Sequence, residues 1–567
     1  MAYESSRASD TLTSAPPLVF ERLHTYFLFP FALDKDVIQA NHPQAWPGKT
    51  RWIDGLDSWI SGESGRRPSQ GMARFGQWKR ASYSKFDVES PAYSELLFFQ
   101  SIIRHVFFDT NVRRHPGSQE NQLRCYTIDL SDSQRFWLEG SDALGRGASV
   151  EVTDLRLYLS AQGISVLSIG VATGAIDAAQ GLWINRRLRK LYPADADSIQ
   201  EGRTPNRLAL RVERNSQTEL VCEERFEHPA MVGFYPPLTN IVKSLLYFTD
   251  YALEEYEPVL DENMLVYSYG ELNARVIPPE TPSPEFDATV EEFLYLHHKR
   301  SEPTERRSGG SRVLFGFTGH SCVILRLDST GESDRDRQGS LSRSPTPLEQ
   351  DDLGVLETFH THYYLMTVVA LFYRAALLEF NERSALVSRR LLRDQQEGRL
   401  TLSSITMVNE LRTQFLNFSN YWHFDDLSFK QTHNELFYRL CAEYKIGAMK
   451  DVLGNELRQM GEFVYNFYQL RNTEAVNRLA ILSLIFGGGA VVTGFFGMNF
   501  GREFGQLVFE GSGTSFLHYF TVTLVCCLIL GSLTLGTFVI LRSWRDYLAL
   551  LSPGQGSSSR CSLKRGD

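Results

Sequence analysis

Two stretches near the C-terminus carry no charged residue: 479–496 (LAILSLIFGGGAVVTGFF), 18 residues long, and 519–541 (YFTVTLVCCLILGSLTLGTFVIL), 23 residues long. As helices rising 1.5 Å per residue they reach roughly 27 and 34 Å, enough to cross a hydrocarbon core of about 30 Å. Two buried core helices are the alternative, but a helix in a folded soluble domain usually keeps one side for water. Charge-free circumference over this length points to lipid. The rest of the chain is different in kind. Across all 567 residues, 43% are hydrophobic and 22% charged, which is the balance of a core-forming globular protein. Most of the chain therefore lies outside the bilayer.

The flanks give a topology. Arg471 and Arg478 precede the first run, and Arg542, Arg545, Arg560, Lys564 and Arg565 follow the second. The connecting loop holds only Arg502, beside Glu503 and Glu510. Basic residues collect on the cytoplasmic side, so both termini are expected there, in a multi-pass integral membrane protein. The opening segment MAYESSRASDTLTSAPP is polar and carries acid, so it reads as neither a secretory signal nor a transit peptide; a cell (inner) membrane is the expected location. Seven cysteines without CxxC spacing suit a reducing cytosol. A net charge of -9 gives no basic excess for nucleic acid.

Before the membrane region the chain has two textures. Residues 1–328 read as a cytosolic α/β domain. In 149–173, Leu155, Leu157 and Leu159 alternate, the chain turns at Gln162-Gly163, and alternation resumes at Ile164 and Val166: a hairpin signal. Segments 125–130, 262–276 and 312–327 read as further strands, and 61–72 and 299–312 as loops. Residues 329–353 (STGESDRDRQGSLSRSPTPLEQDDL) lose nearly all large apolar side chains, the mark of a disordered linker or loop. Cytosolic helices are expected over 354–426, with 365–373 a core helix too short to span. A stalk helix over 427–478 then continues into the first span, 479–499. An external loop (500–518), a second span (519–541) and a cytoplasmic tail (542–567) complete the chain.

The stalk carries two stripes. Leu453, Leu457, Met460, Val464 and Phe467 recur at steps of four and three, a seam for packing on other helices. On the opposite face Glu462, Gln469, Val476, Ser483, Ala490 and Gly497 recur every seven residues, passing from polar through apolar to small. A polar-to-small stripe suits a bundle around a water-filled axis; ordinary packing through small residues suits it too.

The first span ends in Gly494-Phe495-Phe496-Gly497-Met498-Asn499-Phe500. This Gly-Met-Asn, at the outer end of the penultimate span after a long pre-membrane helix, resembles the signature of the CorA superfamily of divalent-cation transporters. The resemblance covers about 427–545. It implies a homo-oligomer, a pentamer in that family, with Gly497, Met498 and Asn499 as the selectivity filter. It also implies pore-lining positions at Val476, Leu479, Gly487, Ala490 and Gly494, counted back from Asn499, and an acidic ring at Glu462. Val476 and Leu479 would form an apolar constriction able to gate by dewetting. The chemistry is coherent. Magnesium demands octahedral oxygen ligation and gives up water reluctantly, so a ring of neutral Asn499 amide oxygens can hold the hydrated ion without trapping it. Met498 supports packing, since thioether sulfur is a poor partner for a hard cation.

The chain departs from the family in places. Gly487-Gly488-Gly489 stands where a proline is common, and Ala490 where a threonine is frequent. The loop lacks Met-Pro-Glu and offers Glu503 and Glu510, either cation-attracting or plainly solvated. Ion identity stays open between magnesium and a zinc transporter coupled to protons. A membrane-anchored metal-sensing scaffold without transport is the reading from another class. No cofactor and no enzymatic activity are expected: His297-His298 and His360/His362 have the wrong spacing for a shared metal. Gly319-His320-Ser321-Cys322 lacks the second glycine of a nucleophile elbow, and no phosphate-binding loop occurs.

Overall fold

The structure, a computed structural model, describes residues 18–497 except 49–50, 62–73, 82–90, 109–122, 131–133, 192–195, 227–237, 261–262, 274–283, 296–303, 309–310, 329–353 and 397–399, and beyond them Cys527, Leu530, Gly531, Thr534, Leu535 and Phe538. The described chain falls into two compact units, one drawn from 1–383 and 415–453, the other from 384–414 and 454 onward.

The first unit is built on a large mixed sheet. Its central strand, Val19–Leu33, is apolar on both faces, as a strand covered on both sides must be. It pairs antiparallel with Ile164–Thr173 on one side and Leu265–Asn273 on the other. The main path of neighbours is Thr304–Ser308, Ser311–Thr318, Ser321–Asp328, Leu265–Asn273, Val19–Leu33, Ile164–Thr173, Gly147–Ser160, Gln134–Ser141, Arg207–Arg214, Gln217–Arg225, with the short strands Lys79–Ala81, Leu123–Thr127, Ile176–Asp177 and Tyr256–Pro258 pairing off it. Leu265–Asn273 and Ser321–Asp328 run parallel; the other neighbours along this path are antiparallel. The expected hairpin is the pair Gly147–Ser160 and Ile164–Thr173, turned at Gly163. A φ of +97° there, close against the Leu33 carbonyl, leaves no room for a side chain.

The two faces differ. Leu23, Phe27, Phe29 and Phe31 join one core with Trp46, Trp52 and Trp59, where Trp46 and Trp52 stack at 4.8 Å. Tyr26, one residue out of that phase, faces the helix Tyr364–Gln396, its ring 4.6 Å from Tyr364. Leu365 through Tyr373 are at most 1% exposed, so the expected core helix covers the second face. Among the described residues one helix, 354–396, is long and apolar enough to cross a membrane, and 83% of its apolar window is buried within the molecule. The sheet unit thus continues past 329–353, which itself lies outside the described residues.

Two expectations are corrected. The supposed loop 299–312 contains the edge strand Thr304–Ser308, paired with Ser311–Thr318; its sequence, TERRS, has no apolar alternation because only one neighbour needs it. The stalk is not one helix from 427. Gln431–Glu443 ends and Ile446–Gly497 begins anew, because Lys445 adopts a left-handed conformation, φ +56°. The N–H of Tyr444 and of Lys445 close onto the carbonyls of Leu440 and Ala442 at 2.9 and 3.0 Å, a helix stop made without glycine.

In the second unit, Asp394 receives the Thr401 N–H and the hydroxyls of Thr401 and Ser404 at 3.0, 2.9 and 2.7 Å. These bonds start the helix Leu402–Asn417 in the manner of a cap.

Candidate helix of the pore and the buried polar cluster

Helix Ile446–Gly497 is 52 residues long and continues without interruption through the described part of the first charge-free run. Roughly 78 Å of helix results at 1.5 Å per residue. Leu453, Leu457 and Val464 are buried, and Met460 and Phe467 half-buried, so the seam read from the heptad spacing is a packing seam. Gly461 belongs to it. A β-carbon there would stand 2.4 Å from Nη1 of Arg412, on helix Leu402–Asn417. Glycine is what permits this approach. Gly447, fourteen residues earlier on the same helix, faces open space instead.

Among the described residues the opposite stripe makes no such close approach. Glu462, Gln469, Val476, Ser483 and Ala490 are all exposed. Glu462 pairs with Arg458, one turn earlier, at 3.0 Å, so the carboxylate expected in an acidic ring is part-compensated by an exposed ion pair of small strength. Gly487 and Gly494 have open space beside their α-carbons. Leu479 is 54% exposed, and Ile481 and Leu484 still more. Among the described residues this apolar stretch is thus largely uncovered. Gly497 is the last residue of the helix; Met498, Asn499, Glu503 and Glu510 lie outside the described residues, as does nearly all of the second expected span.

The sheet unit holds a polar cluster that spacing along the sequence does not display. After its first five residues, helix 354–396 carries a π-helical turn, Phe359–Tyr363, a distortion common at functional sites. His360 in that turn shares a 2.9 Å hydrogen bond with the Tyr26 hydroxyl and meets His24 edge-on at 4.8 Å. Burial, with the neighbouring His24 and Arg156, pushes the His360 pKa down to about 4; burial also lowers that of His24. His362 points elsewhere, to the Leu97 carbonyl and the ring of His433, as two histidines two residues apart on a helix must.

Beside this cluster Arg156 makes paired bonds of 3.1 and 2.9 Å to Glu95 and lies 2.8 Å from Asp154. Its guanidinium sits over the Tyr364 ring at 5.1 Å. Burial raises the Asp154 pKa against the pull of Arg156. Asp154 and Arg156 stand two residues apart on strand Gly147–Ser160, but nothing in that spacing names Glu95 or Tyr364 as partners. Among the described residues no group of three or more His, Cys, Asp or Glu side chains is arranged to hold a metal ion. The Cys125 and Cys322 thiols, pushed up to about 12 by burial, are poor nucleophiles. The turn at Gly319-His320 is structural, its carbonyl taken by Arg374 and Ser321 bonded to Thr318 at 2.7 Å. No family model and no curated protein matches this chain.

Proposed function

We propose that this chain is a homo-oligomeric, channel-like transporter of divalent metal cations, with magnesium as its ion and Asn499 of each copy forming the selectivity ring. The observation that carries the reading is the continuity of helix Ile446–Gly497, which runs through an uncovered apolar stretch and ends one residue before Met498-Asn499. Two spans from one chain cannot enclose a pore, so several copies are required; the number five rests on the resemblance alone. In the assembly the stripe Glu462, Val476, Leu479, Gly487, Ala490 and Gly494 lines the path. Val476 and Leu479 form the dry constriction, and small residues nearer the filter leave room for an ion that keeps its water. Glu503 and Glu510 draw cations to the outer mouth, and the sheet unit serves as the cytosolic regulator.

The test is ion entry into proteoliposomes holding the purified full chain, followed with an enclosed indicator dye under an inside-negative potential. The proposal expects magnesium entry that scales with the potential. Zinc entry that follows a pH gradient, with no magnesium entry, would transfer the chain to proton-coupled zinc transport. Absence of flux for both ions from intact oligomers would leave a membrane-tethered sensor.

A further inference from the structure

Immediately before the long helix the chain folds around a groove of about 200 Å³. Three segments of the first unit meet there: the loop carrying His423 and Phe424, the helix Gln431–Glu443 with Phe437 and Cys441, and the start of Ile446–Gly497 with Ile446, Gly447 and Lys450. Gly447 contributes no bulk, and a β-carbon added to it would meet nothing within 4 Å.

The charge in this groove is unbalanced at its inner end. Among the described residues the half-buried Lys450 ammonium has one hydrogen-bond contact, 3.4 Å to Nδ1 of His423, and no ion pair with a carboxylate. Burial, and then Lys450 itself, lower the His423 pKa, so the ring is a neutral acceptor and not a counter-ion. One of the three ammonium donors is thereby used. Negative charge is confined to the mouth: Asp425, 3.9 Å from His423, has its side chain 87% exposed, and Asp426 accepts from Tyr438. The walls between are the rings of Phe424 and Phe437 and the buried Ile446.

We propose that this groove binds a small organic monocarboxylate, its carboxylate on Lys450 and its apolar body between Phe424, Phe437 and Ile446. The volume equals that of about seven waters, which sets the size of the ligand at a simple aromatic or branched acid. A single ammonium behind an acidic mouth favours one negative charge over two, because a dianion would meet Asp425 with its second. An occupant touches all three segments around the left-handed Lys445, so it braces the first turns of the long helix; carboxylate binding is thus a means of regulating that helix start. The inference is independent of the transport reading, since its test reads only groove occupancy.

The test uses benzoate, with benzamide as its uncharged twin and benzylamine as its opposite charge. N-ethylmaleimide modification of Cys441, which lines the groove and reacts slowly because burial pushes its thiol up to about 12, is timed over hours at alkaline pH by peptide mass spectrometry on the full chain in detergent. Benzoate at saturation is expected to slow Cys441 modification at least fivefold, with benzamide and benzylamine inert. Lys450→Gln is expected to erase the benzoate effect without changing the unliganded rate, and Lys450→Arg to keep it. Protection by benzamide or benzylamine equal to that by benzoate, no protection at all, or equal protection in Lys450→Gln would each overturn the proposal. The benzoate–benzamide contrast in the unaltered chain decides the matter even if Lys450→Gln fails to fold.

Discussion

His360 should make the sheet unit sensitive to acid, by an amount that follows from its surroundings. Its imidazole is held near pKa 4, against an ordinary value of 6.5, first by burial and then by His24 and Arg156. The sign follows from linkage. A histidine whose folded pKa is depressed binds fewer protons than its unfolded counterpart, so its contribution to stability is complete above pH 6.5. That contribution drains away as pH falls toward 4 and is then lost. Between pH 7.5 and 5 the loss is about 2 kcal/mol, rising to about 3 kcal/mol at pH 4. His360→Gln keeps a polar partner for Tyr26 and cannot be protonated, so it removes this loss and leaves the contributions of the other groups in place. Seven of the eight tryptophans lie in the first unit, so urea unfolding of the full chain in detergent, followed by tryptophan emission, reads that unit. The unaltered chain should lose about 2 kcal/mol more than His360→Gln between pH 7.5 and 5. Equal losses in the two proteins would refute the reasoning, because His360 would then be as solvated and as basic as in the unfolded chain.

Two further substitutions test the fold by the same unfolding assay. Lys445→Gly relieves a left-handed side chain (φ +56°) and should stabilise the first unit by about 1 kcal/mol; a loss would mean that the Lys445 side chain holds the turn through contacts of its own. Gly316→Ala places a β-carbon 2.4 Å from the Leu294 carbonyl oxygen. It should cost about 1–3 kcal/mol by forcing helix Pro284–Tyr295 off strand Ser311–Thr318. A neutral result would place that helix farther from the sheet.

What could be read from the sequence was local. Leu155, Leu157 and Leu159 announce their strand because a half-buried strand repeats every two residues, and Gln162-Gly163 announces the turn because only glycine tolerates that backbone. Spacing likewise placed Leu453, Leu457 and Val464 on a packing seam. The centrality of Val19–Leu33 was not legible, nor was the parallel pairing of Leu265–Asn273 with Ser321–Asp328, since partners about 50 to 250 residues away leave no periodic trace. Lys445 ends a helix with a residue that usually extends one, so no glycine or proline betrayed the break. Thr304–Ser308 looked like loop because an edge strand needs no apolar face. The His24–His360 contact joins a strand to a helix across 336 residues and could not be guessed from spacing, although the unsuitability of His360 and His362 as a shared metal pair could. For the proposed pore, the exposed stripe on helix Ile446–Gly497 was legible because a helix converts spacing into faces, whereas Met498 and Asn499 rest on the motif and its position.

The central claim is that Asn499 forms the ring through which hydrated magnesium passes, and it is tested most directly by the flux of Asn499→Ala. In proteoliposomes under an inside-negative potential, the unaltered oligomer should admit magnesium, and Asn499→Ala, assembled to the same size, should lose that entry or its selectivity over calcium and potassium. Magnesium entry in Asn499→Ala at the unaltered rate and selectivity would contradict the account.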